Sequence, residues 1–171
     1  MTERKGAVTF KGRPLTLTGG ELAVGDPAPA AALLANDLTE VNLSDFRGKL
    51  CVLSVVPSLD TPVCDAQTRR FNAEAAALGG DVAILTVSMD LPFAQARWCG
   101  AAGIDAVVTL SDHRDAAFGE AYGVLIPELR LLTRAVFVVD REGSIRYIQI
   151  VGEITDEPDY NAVLQAVREL A

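Results

Sequence analysis

The chain is short of the side chains that hold metals. Its 171 residues include one histidine, His113, and three cysteines, Cys51, Cys64 and Cys99, no two of which form a C-x-x-C pair. Zinc centres need clustered Cys and His at close spacing, so this inventory argues against one. His113, between Asp112 and Arg114, reads as a solvated loop residue. An odd number of cysteines also argues against the disulfide framework of a small secreted domain. No apolar run approaches the roughly 20 residues of a membrane-spanning helix. The small apolar stretch 28–35 follows Asp26 and Pro27, too far along for a secretion signal, and reads as a loop entering a strand. The cytoplasm is therefore the expected compartment, with no membrane partner. An excess of basic residues is missing too. The formal net charge of −8 repels phosphate backbones and argues against nucleic acid as a partner. Repeats, low-complexity tracts and linkers are lacking, so residues 1–171 are expected to form one domain.

What is present is a globular balance, half apolar and 22% charged. Val8 and Phe10, then Leu15 and Leu17, alternate with polar residues around Lys11-Gly12-Arg13-Pro14, an N-terminal β-hairpin signal. A Pro- and Ala-rich loop, a short strand near 41–43 and a turn at 44–48 follow. The runs 50–56, 82–89 and 106–110 are continuously apolar and rich in β-formers, as strands buried on both faces are. Helical patterns at 62–78, 91–102 and 115–122 separate or follow them. Strands at 135–140 and 144–151 flank the turn Arg141-Glu142-Gly143, and a last helix is expected from Thr155-Asp156-Glu157-Pro158 to Leu170. The order βαβαβαββα predicts an α/β fold, a layered sheet with helices on both faces and an added hairpin.

The segment richest in chemistry is Pro57-Ser58-Leu59-Asp60-Thr61-Pro62-Val63-Cys64. Thr61 is a good helix N-cap and Pro62 suits the first helical position, which puts Cys64 in the first turn. Unpaired backbone N–H groups and the positive end of the helix dipole lie there, and both favour a thiolate over a thiol. An ordinary cysteine is only roughly 3% ionised at pH 7, so such a position multiplies the reactive form. Cys64 also falls in one helical arc with Val63, Phe71, Ala75 and Leu78, which aims it into the core. Cys64-x5-Arg70 matches the spacing of thiolate phosphatases, but residues 65–69 hold no glycine to wrap a phosphate and put Asp65 beside the sulfur. Arg69 and Arg70 read as a solvated helix face. Cys99 lies near the end of a second helix, which Asp90 can cap. Leu91, Ala94 and Trp98 form the stripe expected to face the core, with Cys99 on its flank. Cys51, inside a buried strand, reads as inert. On these residues alone, Cys99 is either a packing cysteine or a partner for Cys64.

The run 57–64 resembles the P-x(3)-T-x(2)-C signature of the peroxiredoxins. The chain is similar nearly end to end to their atypical two-cysteine branch, the bacterial thiol peroxidases. Phe46-Arg47-Gly48-Lys49, Asp90-Leu91-Pro92-Phe93-Ala94-Gln95 ahead of Cys99, and Glu153 to Tyr160 carry the likeness. The resemblance implies a thioredoxin-like fold and a peroxidase that reduces hydrogen peroxide and alkyl hydroperoxides. Cys64 would be the peroxidatic cysteine and Cys99 the resolving one, joined in a disulfide that thioredoxin reduces. Thr61 would bind the thiolate or the peroxide, Pro57 would shield the sulfur from water, and Arg134 would reach in from a strand start. A homodimer is implied, and no metal or organic cofactor. Trp98 stands where the resemblance calls for phenylalanine, and 125–130 looks particular to this chain. Two other readings remain: a redox sensor that forms the same disulfide but turns over slowly, and the phosphatase.

Overall fold

A computed structural model describes residues 2–79, 81–104 and 106–171. Strands β1 (Glu3–Phe10) and β2 (Arg13–Thr18) form the N-terminal hairpin. Strands β3 (Ala32–Leu34) and β4 (Glu40–Asn42) lead into a 3-10 turn at Leu43–Phe46. Then follow β5 (Leu50–Val55), α1 (Pro62–Leu78), β6 (Val82–Ser88), α2 (Pro92–Ala102) and β7 (Val108–Ser111). The rest is α3 (Ala117–Ala121), β8 (Leu125–Ile126), β9 (Leu131–Leu132), β10 (Ala135–Val139), β11 (Ile145–Ile150) and α4 (Tyr160–Leu170). No helix is long and apolar enough to cross a membrane among the described residues.

The main sheet runs β11-β10-β5-β6-β7-β3-β4, with β5, β6 and β7 parallel and β10 antiparallel to β5. Both β-α-β crossovers step the same way along the sheet, so right-handed connections put α1 and α2 on one face. Alternation along β5 then decides what each strand residue meets. Leu50 and Val52 pack with Phe71 of α1 and with Val163 and Val167 of α4. Cys51, Leu53 and Val55 point to the other face, into a cluster with Phe118 of α3 and Tyr122, which follows it. Helices thus cover both faces, the layering of a thioredoxin-like fold. The hairpin joins β8 and β9 in a second sheet, β1-β2-β8-β9.

Three local expectations change. The last helix begins at Tyr160 rather than near Thr155, because Asp159 caps it by accepting from the Ala162 N–H at 3.0 Å. The loop after Leu125 supplies β8 and β9, strands of two residues, too short to show a period. In α2 the inward face holds Pro92 and Gln95, while Leu91 and Ala94 of the expected stripe are exposed and Trp98 is half-buried. The strand faces opposite α2 are polar, with Ser88, Thr109 and Ser111, so a glutamine fits there better than a leucine. Gln95 Nε2 donates to Ser88 Oγ at 3.0 Å and to the Leu110 carbonyl at 2.9 Å.

Candidate active site

Helix α1 opens with Thr61 in the N-cap position and Pro62 in its first turn, and ends at Gly79, whose φ of 89° leaves the helical range. Its inward stripe is Cys64, Gln67, Thr68 and Phe71, the i, i+3, i+4, i+7 pattern, and all four are buried. Cys64 is fully buried among Val56, Leu59 and Trp98, and all three cysteines are free thiols. The segment before α1 is tied down by Asp90, two residues beyond the end of β6. Its carboxylate accepts from Ser58 Oγ at 2.7 Å, from the Leu59 N–H at 2.8 Å and from Ser88 Oγ at 2.8 Å. Asp90 therefore does not cap α2 as its position suggests. It clasps the Cys64 segment to the root of the helix that carries Cys99.

Arg134 precedes β10 and is 2% exposed. It has the same strand parity as Val136 and Val138, so it points to the face of the sheet that α1 and α4 cover. Its Nη2 donates to Cys64 Sγ at 3.3 Å, its Nη1 to Gln67 Oε1 at 2.9 Å and its Nε to the Ile154 carbonyl at 2.9 Å. Gln67 is held in turn, its Nε2 donating to Ser54 Oγ at 2.8 Å. Among the described residues no carboxylate pairs with Arg134. A buried cation without a counter-charge costs several kcal/mol. Of the three acceptors on this guanidinium, only the sulfur can become an anion. The guanidinium thus sets its positive charge against the Cys64 sulfur.

The other expected residues lie as follows. Pro57 is buried at the end of the β5 segment. Thr61 is exposed, and its hydroxyl makes no cap bond. It donates to the Ser58 carbonyl at 2.8 Å. Cys99 is half-buried in the last turn of α2, with Sγ 3.6 Å from Thr109 Oγ1 of β7. Trp98, next to it, packs on Cys64, and its Nε1 donates to Asp65 Oδ2 at 3.1 Å. Arg69 and Arg70 are exposed and form i, i+4 pairs with Asp65 and Glu74, so no phosphate cradle forms around Cys64. Cys51 lies on the opposite face of the sheet, where burial pushes its thiol up to about 11. Among the described residues no cluster of three or more His, Cys, Asp or Glu side chains could hold a metal.

A family model described as Redoxin matches residues 23–164. The chain is 59% identical over 163 residues to a thiol peroxidase of Bacillus subtilis, covering 95% of this chain and 97% of that protein. It is 62% identical over 157 residues to a thiol peroxidase of Oceanobacillus iheyensis, covering 92% and 95%. A crystal structure of a peroxiredoxin-like protein from Aquifex aeolicus superposes with a TM-score of 0.91 at 45% identity, over 97% of this chain and 98% of that one. The chain belongs to the thiol peroxidases. As a thiol peroxidase it is an oxidoreductase of the peroxiredoxin type, and the thioredoxin-like fold and N-terminal hairpin expected for that family are both present.

In this thiol peroxidase, sequence reasoning passed over Gln67 and gave Asp90 the wrong role. Gln67 left one usable signal: a polar side chain three residues after Cys64 on the same helical face has to be satisfied inside the core. Asp90 read as a cap because Pro92 follows it. Nothing in the local sequence reveals that its partners sit 31 and 32 residues earlier.

Proposed function

We propose that this thiol peroxidase reduces hydrogen peroxide and alkyl hydroperoxides with Cys64 as the attacking thiolate and Cys99 as the resolving thiol. The single observation that carries the reading is the buried Arg134, whose Nη2 lies 3.3 Å from Cys64 Sγ without a carboxylate partner. The thiolate attacks one peroxide oxygen, the O–O bond breaks, and Arg134 with the first-turn amides stabilises charge on the leaving oxygen. The Thr61 hydroxyl donates its hydrogen bond to the Ser58 carbonyl, so its oxygen can accept one from the incoming hydroperoxide. Pro57 keeps water from the sulfur. The product is a Cys64 sulfenic acid and water or an alcohol.

Resolution joins Cys64 S–OH and Cys99 S–H as a disulfide. The two sulfurs form the S–S bond, and the hydroxyl leaves with the thiol proton as water. The two thiols do not start side by side. Cys64 belongs to the β10–β5 end, through Arg134 and the Gln67–Ser54 bond, and Cys99 rests on β7. β5 and β7 are two strand spacings apart, about 10 Å, whereas bridged Cα atoms lie about 4.4–6.8 Å apart. Local unwinding of the Cys64 and Cys99 segments therefore precedes the bond. An external dithiol, thioredoxin on the family likeness, restores both thiols by exchange. Assembly as a homodimer in the cytoplasm belongs to the same proposal and rests on that likeness alone. No metal or organic cofactor takes part in these steps.

Thioredoxin-coupled NADPH oxidation with hydroperoxide tests this reading. Cys64→Ser is expected to abolish peroxide consumption. Cys99→Ser is expected to retain the first sulfenic acid and lose thioredoxin-dependent turnover. Full turnover by the second variant overturns the role given to Cys99. A wild-type protein that forms the disulfide but barely oxidises NADPH would be a redox sensor instead.

A further inference from the structure

Cys99, in the resting protein, is held as well as distant. Its sulfur lies 3.6 Å from Thr109 Oγ1, and that hydroxyl donates to Asn36 Oδ1 at 2.9 Å. A threonine hydroxyl has one proton. With that proton committed to Asn36, Thr109 can meet the sulfur only as an acceptor, so the Cys99 S–H is the donor. Thr109 itself is buried, 3% exposed, on the side of β7 that faces α2. The chain S–H···Oγ1–H···Oδ1 thus runs from α2 through β7 to the turn after β3. It lines a groove of about 410 Å³ that also includes Asp37, Thr39 and Val108.

We propose that Thr109, oriented by Asn36, is a positioning residue that parks the resolving thiol and so sets how fast a Cys64 sulfenic acid is converted to the disulfide. The inference rests on Cys99 being the resolving cysteine. While the S–H donates to Thr109, the thiol points away from Cys64 and the last turn of α2 stays packed on the sheet. The Cys99 carbonyl closes that turn by accepting from the Ile104 N–H at 3.0 Å. Releasing the thiol breaks the parking bond before the S–S bond can form. The sulfenic acid waits meanwhile, and at high peroxide a second equivalent can oxidise it to the sulfinic acid. The parking bond therefore trades speed of resolution against sensitivity to overoxidation.

The test compares wild type, Thr109→Val, Thr109→Ser and Asn36→Ala as full chains in single-turnover reactions. Valine keeps the shape of threonine and removes the acceptor. Serine keeps it. Loss of one weak hydrogen bond is expected to speed disulfide formation by roughly three- to tenfold in Thr109→Val and to lower sulfinic acid yield at excess peroxide by a similar factor. Thr109→Ser is expected to stay within about twofold of wild type, a rescue that a packing defect at β7 would not give. Asn36→Ala frees the Thr109 proton, and alkylation of Cys99 by iodoacetamide in the reduced protein is expected to become faster, which gives a second readout if the valine variant folds poorly. Unchanged resolution in Thr109→Val with unchanged alkylation in Asn36→Ala overturns the inference. Absence of a Cys64–Cys99 disulfide in wild type instead overturns the reading on which it rests, and peptide mapping of the same samples separates the two.

Discussion

Cys51 and Cys64 are both buried sulfurs near the same strand, and they differ in what meets them. Cys51 has apolar neighbours and two backbone carbonyls at 3.7 and 3.8 Å, and its thiol is pushed up to about 11 by desolvation. Cys64 faces a guanidinium. Per-residue alkylation of the native reduced protein at pH 8 is therefore expected to leave Cys51 unlabelled until the chain is denatured. The raised value also gives a sign for stability. Folding holds the Cys51 proton more tightly than the unfolded chain does, so this contribution is whole below about 9 and is lost as pH climbs toward about 11. Gln67 is the second residue-scale test. Gln67→Leu removes the acceptor for Arg134 Nη1 and the donor to Ser54, and is expected to slow sulfenic acid formation by roughly ten- to hundredfold. Stopped-flow kinetics with peroxide in excess would measure it, and a rate within twofold of wild type would remove Gln67 from the site. Cys64 itself was legible because a cap, a proline and a cysteine stand in helical register. Arg134 was legible only through the family resemblance, since strand parity says which way a side chain points and not what it will find there.

At the scale of elements, the site is a clasp between α1 and α2. Asp90 binds the segment before α1, and Trp98 of α2 donates to Asp65 of α1 while covering Cys64. Trp98 neighbours Cys99 in sequence, so bringing Cys99 to Cys64 must displace the indole. It is the single tryptophan of the chain, and its emission is expected to shift to longer wavelength on oxidation in wild type and not in Cys64→Ser or Cys99→Ser. A wild-type spectrum that stays fixed while the disulfide forms would show that resolution needs no such opening. Element positions were readable for the helices and strands of the α/β core, where caps and continuous apolar runs agree. The inward face of α2 was not. Apolar periodicity locates a helix face only when the surface opposite is apolar, and here it is lined by Ser88, Thr109 and Ser111.

For the whole molecule, the N-terminal hairpin connects to the chemistry through the segment 152–154, where the Thr9 N–H donates to the Gly152 carbonyl at 2.7 Å, the Ile154 N–H donates to the Thr9 carbonyl at 2.9 Å, and one carboxylate adds side-chain bonds. Glu153 accepts from Thr9 Oγ1 at 3.0 Å, from the Gly12 N–H at 2.8 Å and from the Thr155 N–H at 3.0 Å. The next residue, Ile154, offers the carbonyl that orients Arg134. These hydrogen bonds, those of the Gly12 and Thr155 amides foremost, hold the Glu153 carboxyl down at about 2, from 4.5. The lowered value means that the stabilisation is present above about 4.5 and fades as pH falls toward 2. Glu153→Gln is expected to lower the Tm at pH 7 and to match wild type near pH 2, by thermal melts across that range. Equal melting at pH 7 would deny the Glu153 carboxylate its part in anchoring the hairpin. The hairpin strands were plain in the sequence from alternation and turn residues. Their attachment was not, because it depends on contacts more than 140 residues apart. The central claim concerns two sulfurs, and the most direct test is one equivalent of hydrogen peroxide followed by intact mass and peptide mapping. The account predicts a mass lower by two hydrogens, with Cys64 linked to Cys99 and Cys51 still a thiol. A product with Cys51 in the disulfide, or with Cys64 still a thiol after the peroxide is consumed, would contradict it.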